Sequence, residues 1–310
     1  MKSLNKKIRN TFAETVTECA KKDKNLVVMV GDISHGIFES FRNNFSDRYF
    51  NIGICEQAMV NLAAGLSIQG LNPVVHTIAP FIIERAYEQI KLDFGYQKLH
   101  INLVSVGGSF DYSKLGCSHH CYTDLSLMSH FKDSVIVLPG SNIEFDYFFK
   151  KIYKNKKINY FRIPEFNHKH EFKLKELNFP KAIKISSGKD ITLVVTGYTL
   201  KIAKEVFVVL KKKNIECEIL YYNVLKPFDK EALVKSVIKT KRLLVIEEFS
   251  SHDGMYNICT KKLNNITSYK SEQIAITDFV RNYGTYEELL NMSGINMSNI
   301  VKKSLKLFED

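Results

Sequence analysis

The chain has 310 residues, 45% of them hydrophobic and 25% charged, which is the composition of a soluble globular protein with room for two domain cores. No apolar run reaches the roughly 18–20 residues that cross a bilayer, and no apolar segment follows the basic N-terminus as in a secretory signal. The six cysteines are scattered and lack the second pair of a zinc site. We therefore expect reduced thiols, a cytoplasmic location and no membrane partner.

The net charge of +11 raises the question of a nucleic-acid partner. Such binding needs lysines gathered on one face among aromatic side chains. Here the lysines are dispersed, and the short runs at 150–151, 154–157 and 211–213 fall at predicted helix ends, where the helix dipole favours cations. We expect no nucleic-acid partner and instead an attraction for phosphate substrates or an acidic partner surface.

The first half of the chain alternates helical and strand patterns, as in a parallel sheet covered by helices. Residues 8–21 are predicted to form an amphipathic helix and residues 26–30 a fully buried strand. Further strands are predicted at 49–54, 72–77, 101–106, 135–139 and 160–162, with helices after Glu56 and over 81–94.

A second series of strands and helices begins at residue 191. Strands are predicted at 191–195, 217–222 and 243–247, with helices ending at 213 and 239. Residues 165–188 are polar and lack periodicity, which indicates the interdomain connection. We predict an α/β protein with two open doubly wound sheets, in domains 1–168 and 189–310 joined by a linker over 169–188.

Residues 53–59 read GICEQAM and place Glu56 between a strand and a helix of small residues. A carboxylate at a buried strand–helix junction is costly to desolvate, and this cost is tolerated where the acid shares a proton. The alternative is an acid that satisfies free N–H groups at a helix N-terminus. Because ligands gather at the carboxyl ends of strands in open α/β sheets, one crevice is expected to hold several residues that follow strand ends. These are Asp32, Glu56, Phe81, Gly107, Gly108 and Arg162.

Further segments accompany the glutamate in a fixed order. Residues 78–90 and the Gly-x-x-His segment 116–119, followed by Asp124, lie in the first half, and residues 192–197, 223–229 and 245–248 lie in the second. Together these segments resemble the pyrimidine-binding and C-terminal domains of the transketolase family, which uses thiamine diphosphate. The resemblance covers nearly the whole chain.

The resemblance implies a set of cofactor-binding residues. Glu56 matches the glutamate that hydrogen-bonds a ring nitrogen of the aminopyrimidine and shares its proton. Phe81 matches an aromatic position beneath the pyrimidine, although a phenylalanine at a helix start is also a common core residue. Ile33, Ile54 and Arg85 are the other residues expected at the cofactor.

The resemblance also implies residues that act on the substrate. His119 matches a histidine that works in proton transfer and charge stabilisation, so Glu56 and His119 are the predicted catalytic residues. Ser34 and His35 fall where family members line the channel mouth. Both His35 and His120 are suited to acid–base work or to a hydrogen bond with a hydroxyl.

Three charged residues complete the predicted substrate site. Arg9 and Arg162 match arginines that bind substrate phosphate, a task for which a guanidinium is suited; for Arg9 the alternative is an ordinary exposed base. Asp124 is also predicted to bind the substrate. Where the family has a donor-site histidine, this chain has Gly107–Gly108. Leu115 stands where the family has an acidic residue that helps to recognise the stereochemistry of sugar hydroxyls. Both departures weaken the expectation of the usual pentose and hexose phosphates.

The Gly-Asp-Gly motif that holds magnesium and the diphosphate in this family occurs nowhere in the sequence. The resemblance therefore predicts the C-terminal subunit of a split transketolase, which transfers a two-carbon ketol unit between phosphorylated or nucleotide-linked sugars. The ligands of Mg²⁺ would come mainly from an N-terminal subunit with Gly-Asp-Gly. Self-association of this chain together with that partner would give a heterotetramer. The alternatives are an enzyme like deoxyxylulose phosphate synthase or the 2-oxoacid dehydrogenase β-subunit, and a non-catalytic scaffold.

Overall fold

The computed structural model describes residues 6–309. The strands within this range are β1 (Leu26–Val30), β2 (Tyr49–Asn51), β3 (Asn72–Ile78), β4 (Ile101–Val106), β5 (Ser134–Val137), β6 (Ile158–Ile163), β7 (Ile183–Ser186), β8 (Ile191–Val195), β9 (Cys217–Tyr221), β10 (Val224–Lys226), β11 (Arg242–Ser250) and β12 (Lys270–Ile276).

The α-helices in the same range are α1 (Ile8–Lys22), α2 (Glu39–Asn44), α3 (Glu56–Ile68), α4 (Tyr87–Gln89), α5 (Asp124–Ser129), α6 (Asn142–Ile152), α7 (Thr199–Lys212), α8 (Lys230–Thr240), α9 (Met255–Leu263), α10 (Tyr286–Met292) and α11 (Met297–Glu309). The helix predicted over 81–94 is wound more widely than expected, because α4 is flanked by π-helical segments at Pro80–Arg85 and Ile90–Tyr96.

The first sheet has the order β10-β5-β6-β4-β3-β1-β2. Its strands are parallel except for β10, which comes from the second half of the chain and pairs antiparallel with β5. All six residues of β4 are buried, as expected for a parallel strand covered on both faces. The carboxyl ends of β1, β3, β4 and β6 therefore share one edge of the sheet.

The second sheet has the order β12-β11-β8-β9-β7, with β7 antiparallel at its edge. The predicted fold class, α/β with two open and mostly parallel sheets, is confirmed. Three edge strands were not predicted: β7, which lies inside the expected linker, and β10 and β12. The domain boundaries at 168 and 189 stay predictions.

The core forms three layers of apolar side chains. One face of the first sheet packs on α1, α2 and α6 through Phe12, Phe41 and Phe145. The outer face of the second sheet packs on α7, α10 and α11. Between them lies a continuous cluster that contains Met59 of α3 and Val245 of β11, so both halves of the chain share one core.

Candidate active site

Glu56 is the first residue of α3, and the chain reaches it through Gly53, which has a φ of 77°. Its side chain is 1% exposed, and its Oε2 accepts a hydrogen bond from Nη1 of Arg85 over 2.7 Å. Its Oε1 is buried and has no hydrogen-bond partner among residues 6–309. A buried acceptor left without a donor costs about 1–3 kcal/mol, so Oε1 is suited to receive a hydrogen bond from a ligand.

Arg85 connects Glu56 with Phe81. All three residues come from the first turn of α3 and the π-helical segment after β3, and π-helical turns are frequent at functional sites. The guanidinium carbon of Arg85 lies 4.2 Å from the centroid of the Phe81 ring. Arg85 thus stacks on one face of this ring while it fixes the orientation of the Glu56 carboxylate.

His119 also contacts the Phe81 ring. It ends a short 3-10 turn, Cys117–His119, that follows Gly116 at a φ of 78°. The rings of His119 and Phe81 meet edge to face, with centroids 5.1 Å apart. Partial burial, and then the positive charge of Arg85, lower the pKa of His119 below its usual value. The imidazole is therefore neutral at pH 7 and can accept a proton.

Arg9 reaches this group through a residue that the sequence did not single out, Tyr112. Nη1 of Arg9 donates to the Tyr112 hydroxyl over a long 3.5 Å, and the Tyr112 ring lies 6.3 Å from that of His119. Nε of Arg9 is buried without a hydrogen-bond partner among the described residues. Arg9 is half-buried, unlike an ordinary exposed base.

Ser34 hydrogen-bonds a second residue that was missed, His76 of β3, over 2.8 Å between Oγ and Nε2. Because Nδ1 of His76 donates to the carbonyl of Val104 over 2.6 Å, Nε2 carries no proton and accepts from Ser34. Complete burial lowers the pKa of His76 to about 4, and the charge of Arg9 acts in the same direction. A histidine inside an otherwise apolar buried strand was the available sequence signal.

The other residues near the predicted channel mouth are differently placed. His35 is exposed and contacts Arg42 and the hydroxyl of Tyr49. Ile33 is half-buried against the α1 side of the first sheet, and Ile54 is 68% exposed. Within residues 6–309, none of these three side chains hydrogen-bonds Glu56, whose carboxylate is held by Arg85. Their roles at the cofactor and the channel mouth stay predictions.

Arg162 and Asp124, both predicted to contact the substrate, are buried as a pair. Arg162 is 6% exposed, and its Nη1 lies 3.4 Å from Oδ1 of Asp124. Oδ2 of Asp124 accepts a hydrogen bond from the Tyr160 hydroxyl over 2.6 Å. The guanidinium lies so close to Gly108 that a Cβ there would be 1.8 Å from Nε of Arg162.

His120 is also buried, with its ring edge on Phe110 and the centroids 5.0 Å apart. Burial lowers its pKa, and its Nε2 has no hydrogen-bond partner within residues 6–309. The structure therefore links six residues by direct contacts, and it leaves His120, Asp124 and Arg162 in the protein interior. The linked residues, in order of contact, are Glu56, Arg85, Phe81, His119, Tyr112 and Arg9.

Neither a metal site nor a membrane span is visible in the described part of the chain. Over residues 6–309 there is no group of three or more histidine, cysteine or acidic side chains that could hold an ion. No helix in that range is long and apolar enough to cross a bilayer.

The geometry agrees with sequence comparisons. The family model of the transketolase pyrimidine-binding domain matches residues 5–169, and that of the transketolase C-terminal domain matches residues 180–300. The first match contains the linked residues and all strands of the first sheet except β10, which lies in the second match together with the strands of the second sheet. The chain therefore belongs to the transketolase family.

Individual relatives are similar over the whole chain. One of the subunits of the apulose-4-phosphate transketolase from Phocaeicola vulgatus is 27% identical over 304 residues, 96% of each chain. A putative transketolase C-terminal section from Methanocaldococcus jannaschii is 27% identical over 97% of this chain and 96% of its own length. Deoxyxylulose phosphate synthase from Halothermothrix orenii is 24% identical over 96% of this chain and 48% of its own length.

A solved structure described as a split gene transketolase, inactive beta4 tetramer, superimposes with a TM-score of 0.88 at 25% identity and covers 97% of both chains. The transketolase of Pichia stipitis superimposes with a TM-score of 0.77 at 14% identity over 45% of its chain, which supports the fold alone. The chain is thus similar to separately encoded transketolase subunits along nearly its full length.

Proposed function

We propose that this chain is the C-terminal subunit of a split thiamine-diphosphate-dependent transketolase. It transfers a two-carbon ketol unit between sugar substrates and is active only with an N-terminal subunit. The observation that carries the proposal is Oε1 of Glu56, a buried acceptor without a partner in residues 6–309, beside a carboxylate oxygen that Arg85 holds. A redundant buried acid would be lost easily from a scaffold, which disfavours a non-catalytic role.

The linked residues fit the pyrimidine end of thiamine diphosphate. Oε1 of Glu56 would share a hydrogen-bonded proton with a ring nitrogen of the aminopyrimidine, while Arg85 keeps the carboxyl group oriented. Phe81 offers an aromatic surface, although Arg85 already covers one of its faces. When bound, the cofactor supplies the nucleophilic carbon that attacks a ketose carbonyl.

The substrate side is assigned to residues that follow Phe81 in the chain of contacts. Neutral His119 takes or returns a proton at a substrate oxygen. Arg9 binds the substrate phosphate, and Ser34 and His35 stand at the channel mouth. His120, Asp124 and Arg162 remain predicted substrate-binding residues, and all three are buried.

An N-terminal partner would complete the site. The absence of Gly-Asp-Gly from the sequence, and the likeness to a separately encoded transketolase subunit and to a C-terminal section, support a partner that binds Mg²⁺ and the diphosphate. The relative described as a tetramer supports self-association, hence a heterotetramer. A cytoplasmic location is part of the same proposal.

A second candidate is a deoxyxylulose phosphate synthase-like enzyme that decarboxylates a 2-oxo acid. Residues 85–89, RAYEQ, resemble the synthase, and the synthase of Halothermothrix orenii aligns with 96% of this chain. The two candidates differ in their donor, which is a ketose in one case and pyruvate in the other.

The test is an assay of the chain together with an N-terminal subunit that carries Gly-Asp-Gly. Ketose donors and aldose acceptors, with apulose 4-phosphate and the common pentose phosphates included, are compared with pyruvate plus glyceraldehyde 3-phosphate. We expect ketol transfer that requires both subunits and falls by about 10³-fold in Glu56→Gln. Faster turnover of pyruvate would favour the synthase, and tight magnesium-dependent cofactor binding to this chain alone would refute the split enzyme.

A further inference from the structure

Tyr112 fills a space that the backbone at the end of β4 leaves open. A Cβ added to Gly107 would lie 2.3 Å from Cε2 of Tyr112, so no other residue at 107 is compatible with the observed ring. The φ of Gly107 is 76°, which also favours glycine. The ring packs at one side against the apolar cluster beneath α1, and this contact fixes its position.

The free end of Tyr112 lies between two predicted site residues. Its hydroxyl receives the long hydrogen bond from Arg9, and its ring lies nearly perpendicular to that of His119, with the centroids 6.3 Å apart. Burial raises the pKa of Tyr112, so the hydroxyl keeps its proton at neutral pH and can donate it to an anion held by Arg9. The side chain thus separates the expected proton-transfer residue from the expected phosphate-binding residue.

We propose that Tyr112 determines substrate length at this site. The inference rests on the proposed function: a sugar phosphate with its reacting carbonyl at His119 and its phosphate at Arg9 must lay its carbon chain along the Tyr112 ring. The ring occupies volume that a longer chain would need, and the hydroxyl donates to the phosphate of a chain that fits. The site is therefore restricted to short phosphorylated acceptors.

The test compares aldose phosphates of three to six carbons in the two-subunit complex. Wild type should lose about tenfold or more in kcat/KM with each carbon beyond the favoured length, the scale of one methylene in a fitted pocket. Tyr112→Leu should abolish that loss through a lower KM for the longer acceptors. Tyr112→Phe keeps the ring, so it should keep the length profile and raise KM severalfold for all phosphorylated acceptors.

Tyr283 packs against the loop between Tyr112 and His119 and provides the control. Tyr283 lies against Gly116, where a Cβ would be 2.9 Å from its Cε1, and it is 72% exposed. Tyr283→Ala should leave the length profile unchanged. If Tyr112→Leu has the wild-type profile, or lowers kcat equally for every acceptor, Tyr112 is only a packing residue and the proposal is wrong.

Binding without turnover separates this proposal from the proposed function. The same aldose phosphates are titrated by calorimetry into the Glu56→Gln complex, with and without Tyr112→Leu. Preference for short ligands that disappears with Tyr112→Leu supports the proposal even if no ketol transfer is found. Equal affinity for all lengths before Tyr112 is changed, or no binding at any length, overturns it.

Discussion

Two buried glutamates, one in each half of the molecule, differ in how many of their carboxylate oxygens are hydrogen-bonded. Glu247, in β11, accepts hydrogen bonds from the backbone N–H groups of Met255 and Tyr256 and from Nε2 of Gln273, so both of its oxygens are used. Glu56 uses one oxygen, for Arg85, and leaves the other buried without a donor from residues 6–309.

The difference separates a structural acid from the acid that we propose to act in catalysis. Glu247 satisfies the free N–H groups at the start of α9, the role that was the alternative interpretation of Glu56. Gly254 is required for this contact, because a Cβ there would lie 2.2 Å from Oε2 of Glu247. Burial alone therefore does not distinguish the two glutamates, and the proposed catalytic role of Glu56 rests on its unused acceptor.

The largest expected effect is on activity when Glu56 is changed. Glu56→Ala should abolish turnover of the two-subunit complex, and Glu56→Gln should lower kcat by about 10³-fold, within the range for general acid–base groups. The unfolding free energy of the chain should change by less than about 1 kcal/mol, because half-exposed Arg85 can turn to solvent. Wild-type rates in either variant would refute the cofactor assignment.

Glu247→Ala should have the reverse pattern. It leaves two backbone donors and Gln273 without their acceptor, so the unfolding free energy should fall by about 2–4 kcal/mol. The kcat of the molecules that remain folded should stay near wild type. Urea denaturation measures the change, with exposed Glu171→Ala as the matched control. A loss of kcat without a loss of stability would reverse the comparison.

Stability should also depend on pH in opposite senses in the two halves of the molecule. The pKa of His76 is about 4 against an ordinary 6.5, so its contribution is complete above pH 6.5 and is lost as pH falls to 4. Burial raises the pKa of Glu247 to about 7 from 4.5, so its contribution is complete below pH 4.5 and is lost as pH rises to 7. Each effect amounts to about 3 kcal/mol.

The two effects oppose each other between pH 4.5 and 6.5, and variants separate them. Relative to wild type, the unfolding free energy of His76→Gln should decrease with rising pH in this interval, and that of Glu247→Gln should increase. Denaturant midpoints measured at closely spaced pH values give both slopes. Parallel curves for the three proteins would show that neither group titrates as assigned.

The smallest expected effect concerns Arg85. Arg85→Met removes the ion pair to buried Glu56, but the arginine side chain is 39% exposed and solvent replaces part of the interaction. We expect a loss of about 1 kcal/mol in stability and a roughly tenfold fall in kcat, with Arg85→Lys between this variant and wild type. An unchanged kcat in Arg85→Met would show that the carboxylate is oriented by something else.

The sequence predicted those features of the fold that depend on residues close together in the chain. Strands β1, β4 and β8 have the predicted bounds because buried parallel strands read as continuous apolar runs. Edge strands β7 and β12 are only partly buried and carry no such run. Strand β10 has three residues and pairs with β5, far away in the first half of the chain, which no local pattern records.

The same limit applies to the site. Glu56, Phe81 and His119 were predicted from motifs, and the structure brings them together with Arg85. Tyr112 could not be predicted, because its position depends on the open space over Gly107. The burial of Arg162 with Asp124 was missed for a related reason: the pairing of a strand-end arginine with a helix-start aspartate is a tertiary contact.

The role proposed for Glu56 is to share a hydrogen-bonded proton, through Oε1, with a ring nitrogen of the pyrimidine of thiamine diphosphate. The most direct measurement is deuterium exchange of the thiazolium C2 proton, followed by NMR in the two-subunit complex with magnesium and saturating cofactor. We expect rapid exchange in wild type and exchange at least about 100-fold slower in Glu56→Gln, with the cofactor still bound. Equal exchange rates in the two complexes would contradict the proposed role of Glu56.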